Sequence, residues 1–203
     1  MLLTAGATAL IALARPSVAP AADAAAGGKM AGACAACHGP DGNATIPAMP
    51  SLAGQPVFYT HWQIVLFRDG RRRDPQMSPF AANLTDADIA DLAAYYAAQQ
   101  PKPRPPASSD AGAMSAGQRL AEQHHCASCH SQASAGPRYA PQLGGQSYEY
   151  LVKQLREFKS RARGDLDGAT MTSASQALGE QDIEVLARYF ATLPPATSPA
   201  GSR

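Results

Sequence analysis

The sequence has no surplus of either charge: 17 Lys and Arg stand against 16 Asp and Glu, a formal net charge of +1 over 203 residues. A surface that neutralises successive phosphates needs a basic excess, so no nucleic-acid partner is expected. Aromatic residues are scarce, at 6%. These side chains bring the largest buried areas to most cores, so a core built without help is thin and something further is expected to fill it. Beyond the N-terminal region no run of 18 apolar residues occurs, which leaves no candidate spanning helix and predicts a soluble mature chain, with peripheral membrane association still open. No apolar–polar alternation is long enough for a sheet. With 45% apolar and 16% charged residues the chain can nonetheless bury a core, which argues against wholesale disorder.

No cysteine is left over. The four are Cys34, Cys37, Cys126 and Cys129, two pairs of the form C-x-x-C, each followed at once by a histidine, His38 and His130. Residues 1–28 combine an apolar stretch from Leu2 to Ala14 with small-residue A-x-A-like sites from Val18 to Ala26, the pattern of an export signal expected over 1–25, although Arg15 follows the apolar run instead of preceding it.

The chain repeats itself. CAACH at Cys34 answers CASCH at Cys126, an offset of 92. Leu52, Gly54 and Gln55 answer Leu143, Gly145 and Gln146, and Tyr59, Gln63 and Phe67 answer Tyr150, Gln154 and Phe158, at 91. Met77 answers Met171, and Asp88, Ile89, Leu92 and Tyr95 answer Asp182, Ile183, Leu186 and Tyr189, at 94. Ordered agreement of this kind marks two homologous domains, expected over 26–100 and 115–195. Between them, 101–114 is rich in proline, which cannot continue a helix and favours an extended, semi-rigid spacer. The tail 196–203 is expected to fray.

Each repeat reads as helical, so the class is all-α. Thr85 with Asp88 makes an N-cap ahead of Ile89, Leu92, Ala93 and Tyr96 at the spacing of a buried helix face, and Gly179 with Ile183, Leu186, Ala187 and Phe190 repeats it. Middle helices are expected from Pro56, as first helical residue, to Asp69 and from Ser147 to about Arg161. Shorter ones, Ala24 to Ala35 and Ser115 to Ala127, lead into the cysteine pairs.

A C-x-x-C-H run is the attachment signature of c-type haem: two thiols add to the porphyrin vinyl groups, and the adjacent imidazole reaches the iron from one face. A zinc site would need both pairs to meet across domains. A redox dithiol expects a strand–turn–helix setting, and disulfides would leave the histidines unexplained. Two motifs in register favour haem, which also supplies the bulk that the aromatic-poor core lacks. For the sixth ligand the matched methionines Met77 and Met171 are the candidates, each ahead of the capped last helix. Met49 is the rival in the first repeat, and a core-filling role is the plain alternative. His61, His124 and His125 are poor ligand candidates. Arg71, Arg72 and Arg73, and the series Lys153, Arg156, Lys159, Arg161 and Arg163, read as solvated faces, with haem propionates or an acidic partner as the alternative. A backbone carbonyl near Pro50 or Pro141 is placed to orient each axial histidine.

These residues resemble the class I cytochromes c and, in duplicate, the di-haem cytochrome c4 family. The likeness covers roughly 28–194 and is carried by CAACHGPDGN from Cys34, PSLAGQ from Pro50, FRDGRR from Phe67 and the segment Met77 to Ala97, then by CASCH, PQLGGQ and Met171 to Leu193. The departures are Ser131 in place of Gly39, the long spacer and the weak signal. The resemblance implies two covalently bound haem c groups: Cys34, Cys37, His38 and Met77 on the first, Cys126, Cys129, His130 and Met171 on the second. It implies a periplasmic one-electron carrier with no catalytic residue, working between redox proteins: an upstream quinol-oxidising complex and a membrane terminal oxidase. Two alternatives stay open: a di-haem oxidoreductase such as a thiosulfate dehydrogenase or a small peroxidase, and a haem subunit of a larger complex.

Overall fold

The computed structural model describes residues 21–107, 110–130, 139–163 and 168–196. The expected signal segment, apart from its last few residues, and nearly all of the C-terminal tail lie outside these. Among the described residues every regular element is helical, and no helix is long and apolar enough to cross a membrane.

The first half contains α1 (Ala24–Met30), α2 (Ala35–His38), α3 (Val57–Arg68), α4 (Met77–Ala81) and α5 (Asp86–Ala98). The second contains α6 (Ala111–Gln123), α7 (Tyr148–Lys159), α8 (Ala169–Gln176) and α9 (Glu180–Thr192). Helix α1 packs on α5 and α6 on α9, while α3 and α7 lie against those last helices. The buried face of α5 is the expected one, Ile89, Leu92, Ala93 and Tyr96, and α9 buries Ile183, Leu186, Ala187 and Phe190. Thr85 accepts from the Asp88 N–H at 3.2 Å and the Asp88 carboxylate accepts from the Thr85 N–H at 2.9 Å, which closes the N-terminus of α5. In α9, Asp182 accepts from the Gly179 N–H at 2.7 Å.

The tight crossings rest on glycine. A Cβ on Gly27 of α1 would stand 2.1 Å from the Asp91 carbonyl oxygen, and one on Gly117 of α6 would stand 2.4 Å from the Tyr189 Cβ. Only hydrogen fits at either place.

Several expectations are corrected. Helix α1 starts at Ala24, as expected, behind Asp23, whose carboxylate accepts from the Ala25 N–H at 2.8 Å. It ends at Met30 and passes through a 3-10 turn, Ala31–Ala33, instead of continuing to Ala35. Helix α6 starts at Ala111 behind an Asp110 cap, four residues before Ser115, and the spacer is correspondingly shorter. Pro56 is the N-cap of α3, and Ser147 caps α7 by accepting from the Tyr150 N–H at 3.2 Å. Nor does the spacer stand free. Pro101 abuts Gly54, the Lys102 N–H donates to Asn43 Oδ1 at 2.7 Å, the Asn43 amide donates to the Gln100 carbonyl at 3.1 Å, and Lys102 pairs with Asp41.

The two halves meet through a reciprocal set of hydrogen bonds. Gln55 donates to the Gln142 carbonyl at 2.9 Å and accepts from the Gln142 N–H at 3.0 Å. In the mirrored pair, Gln146 donates to the Ser51 carbonyl at 2.7 Å and accepts from the Ser51 N–H at 2.9 Å. Arg72 reaches across to Gln154 at 2.8 Å, and Arg163 reaches back to Gln63 at 2.8 Å and the Tyr59 hydroxyl at 3.3 Å. Each guanidinium also stacks on the aromatic ring of its own half, Phe67 at 4.4 Å and Phe158 at 4.6 Å. The reading of these arginines as solvated is therefore wrong for Arg72 and Arg163. They sit in the domain interface, in equivalent places.

Candidate haem-attachment sites

Each C-x-x-C-H run is wound into a single turn. The N–H groups of Cys37 and His38 both donate to the Cys34 carbonyl, at 3.2 and 3.0 Å, and those of Cys129 and His130 donate to the Cys126 carbonyl, at 3.3 and 3.0 Å. One turn therefore carries both sulfurs and the imidazole. The turns are entered and left by special backbone: Gly39 follows the first at φ 78°, where a Cβ would meet the Asn43 carbonyl oxygen at 2.3 Å, and His125 precedes the second at φ 52°. His125 thus has a backbone role beside the motif. None of the four cysteines is joined in a disulfide, and the first of each pair, Cys34 and Cys126, packs against the core of its half. Burial pushes both of these thiols above their ordinary value.

His38 and His130 are alike in position and environment. The Nδ1–H of His38 donates to the Pro50 carbonyl at 2.9 Å, and that of His130 to the Pro141 carbonyl at 2.9 Å. These are the orienting carbonyls expected from position. With the proton on Nδ1, Nε2 keeps its lone pair free for a metal. Burial lowers the pKa of both imidazoles, against the opposing effect of the proline carbonyls, and favours the neutral form that ligates.

Met77 is the first residue of α4, which packs on α3, and Met171 lies in α8, which packs on α7, so the two occupy equivalent parts of their halves. Met49 sits instead in a turn, its N–H donating to the Ile46 carbonyl at 3.1 Å. Sequence reading passed over Asp74, whose Oδ1 accepts from the N–H groups of Gln76 and Met77 at 2.9 and 3.1 Å. The only hint was its place three residues before a candidate ligand.

The donor set suits haem. Unpaired thiols and a histidine with a free Nε2 share one turn in each half, and buried hydroxyls at Thr172 and Ser175 of α8, beside Met171, have no partner among the described residues. No group of three or more His, Cys, Asp or Glu side chains is gathered as a metal cluster among the described residues, which leaves the cross-domain zinc reading without a site. A helical fold in two equivalent halves, each with this turn and this histidine, defines a c-type cytochrome with two attachment sites.

Comparison with known proteins agrees. Residues 114–194 match the family model for cytochrome c, and 21–95 match that for cytochrome c oxidase, cbb3-type, subunit III. Cytochrome c4 of Pseudomonas aeruginosa is 38% identical over 84% of this chain and 88% of its own. A thiosulfate dehydrogenase electron acceptor of Stutzerimonas stutzeri is 33% identical over 79% of each. The crystal structure of reduced cytochrome c4 from Pseudomonas stutzeri superposes with a TM-score of 0.76 at 31% identity, covering 85% of this chain and all of that one. The chain belongs to the cytochrome c4 family, whose members hold two covalent haem c groups.

Proposed function

We propose that the chain is a periplasmic relay that carries single electrons between redox proteins, from an upstream quinol-oxidising complex to a terminal oxidase of the membrane. The first helix of each half is capped by an aspartate, Asp23 and Asp110. In this reading Cys34 and Cys37 bind the first haem and His38 and Met77 ligate its iron, while Cys126, Cys129, His130 and Met171 do the same for the second. The bound haem supplies the one-electron chemistry. The chain orients each imidazole, keeps it neutral, and shields the far face with a thioether, which raises the reduction potential.

The observation that carries the relay is the clasp between the halves. Pro50 and Pro141, which hold the two histidines, are followed directly by Ser51 and Gln142, whose N–H groups donate across the interface to Gln146 and Gln55. The two histidine loops are therefore tied to each other, as a protein that passes electrons between two haems requires. Potentiometric titration of the holoprotein tests the ligands. Met77→Ala and Met171→Ala are each expected to lower the potential of their own haem, by a sizeable part of the roughly 0.8 V that axial ligands span, and to open that iron to carbon monoxide. Potentials that stay put in either variant overturn the assignment.

The relative named as an electron acceptor of thiosulfate dehydrogenase favours such an enzyme as a second donor. It supports a carrier over an enzyme. Thiosulfate turnover by the pure holoprotein would reverse that. The match of 21–95 to an oxidase subunit model supports the further possibility of stable residence in a complex, read by co-purification with a membrane partner.

A further inference from the structure

We infer that Asp74 is a positioning residue for Met77 and that it makes the methionine segment of the first domain depend on docking to the second. This rests on the reading of Met77 as an axial ligand. Oδ1 of Asp74 accepts from the backbone N–H groups of Gln76 at 2.9 Å and Met77 at 3.1 Å, while the N–H of Asp74 donates to Ser78 Oγ at 3.1 Å. The turn that opens α4 is thus closed from both sides. Oδ2 of the same carboxylate accepts from Lys153 Nζ at 2.8 Å, and Lys153 belongs to α7 of the other domain. Glu157, one turn further along α7, stands 3.6 Å from the same ammonium and steadies it. The Asp74 side chain is 21% exposed and that of Lys153 47%, so salt is expected to weaken the contact in part.

One carboxylate therefore grips the Met77 backbone with one oxygen and the partner domain with the other. At the counterpart position, three residues before Met171, the second domain has Gly168, which has no side chain to offer. In this inference Met77 is fixed by a strap that undocking would slacken, and Gly168 can supply no such strap to Met171.

The test uses the oxidised holoprotein and three readouts: amide exchange at Gln76 and Met77, the NMR methyl signal of each ligated methionine, and the rate of cyanide binding to each haem. Asp74→Ala is expected to speed exchange at both amides and to raise the cyanide rate at the first haem roughly tenfold, the equivalent of losing a hydrogen bond to a charged group, with the second haem unchanged. Lys153→Gln leaves the amide bonds in place and is expected to move the same readouts in the same direction by less. Asp74→Asn keeps an acceptor for the amides, loses the ion pair, and should match Lys153→Gln. Unchanged readouts in Asp74→Ala, or equal changes at both haems, overturn the inference. Met77→Ala separates the two readings: if it leaves the first iron closed, the ligand assignment fails. If it opens that iron while Asp74→Ala does not, only the role of Asp74 fails.

Discussion

At the scale of the residue, His38 and His130 are held ready by two agents. Burial disfavours the imidazolium, and a proline carbonyl at 2.9 Å fixes the proton on Nδ1. The carbonyl pulls the pKa the other way, yet burial prevails in both cases and the folded value lies below the ordinary 6.5. The sign for stability follows. Below pH 6.5 the unfolded chain takes up protons that the folded chain refuses, so unfolding gains as pH falls from 6.5 toward the folded pKa, and the contribution is whole only above 6.5. Iron on Nε2 would exclude the proton further and act in the same direction. The denaturant midpoint of the holoprotein is therefore expected to drop between about pH 7.5 and pH 5.5, the range in which histidine titrates. A midpoint that is flat or rises over that range contradicts the burial argument.

At the scale of the element, the helices themselves were legible. Period, cap and core face of α5 and α9 follow from Thr85, Asp88 and Gly179 and from the spacing of Ile89 and Ile183, because those signals are local. What joins the helices was not legible. Gly27 and Gly117 sit in stretches rich in Ala and Gly, where small residues carry no signature, yet each lets one helix lie directly on another. Asp110 was likewise hidden among Ser and Pro, so the start of α6 went unread. Gly27→Ala is expected to destabilise the first domain and Gly117→Ala the second, each by about 1–3 kcal/mol of overpacking, even though alanine is the better helix former. The measurement is the denaturation midpoint, with a rise in either variant as the contrary result. Both obstacles are fixed to the backbone, the Asp91 carbonyl oxygen at 2.1 Å and the Tyr189 Cβ at 2.4 Å, and the closer approach at Gly27 makes the first of these changes the larger.

At the scale of the whole molecule, the interface escaped the sequence for a different reason. Its residues include Gln55, Gln146, Arg72, Arg163, Tyr59, Gln63 and Gln154, polar side chains that look like surface when taken one at a time. Their meaning lies in the repetition. Gln55 and Gln146 stand 91 apart, as do Arg72 and Arg163, and each member of a pair makes the bond that its counterpart makes in the opposite direction. Duplication thus supplied both domains and the surface that joins them, since a patch able to pair with its own copy needs no separate partner. A prediction follows from the symmetry. Each glutamine makes two cross-domain hydrogen bonds, worth about 1 kcal/mol apiece in net terms, so Gln55→Ala and Gln146→Ala should each weaken docking by about 2 kcal/mol. The isolated domains lose nothing from either change, and the holoprotein is expected to melt in two resolved transitions in calorimetry where the parent melts in one. Because Ser51 and Gln142 are released together with the glutamines, the two histidine loops are also freed from each other, and electron exchange between the haems should slow in the same variants. If docking weakens while exchange keeps its rate, the clasp is a structural joint only, and the path between the haems lies elsewhere in the interface.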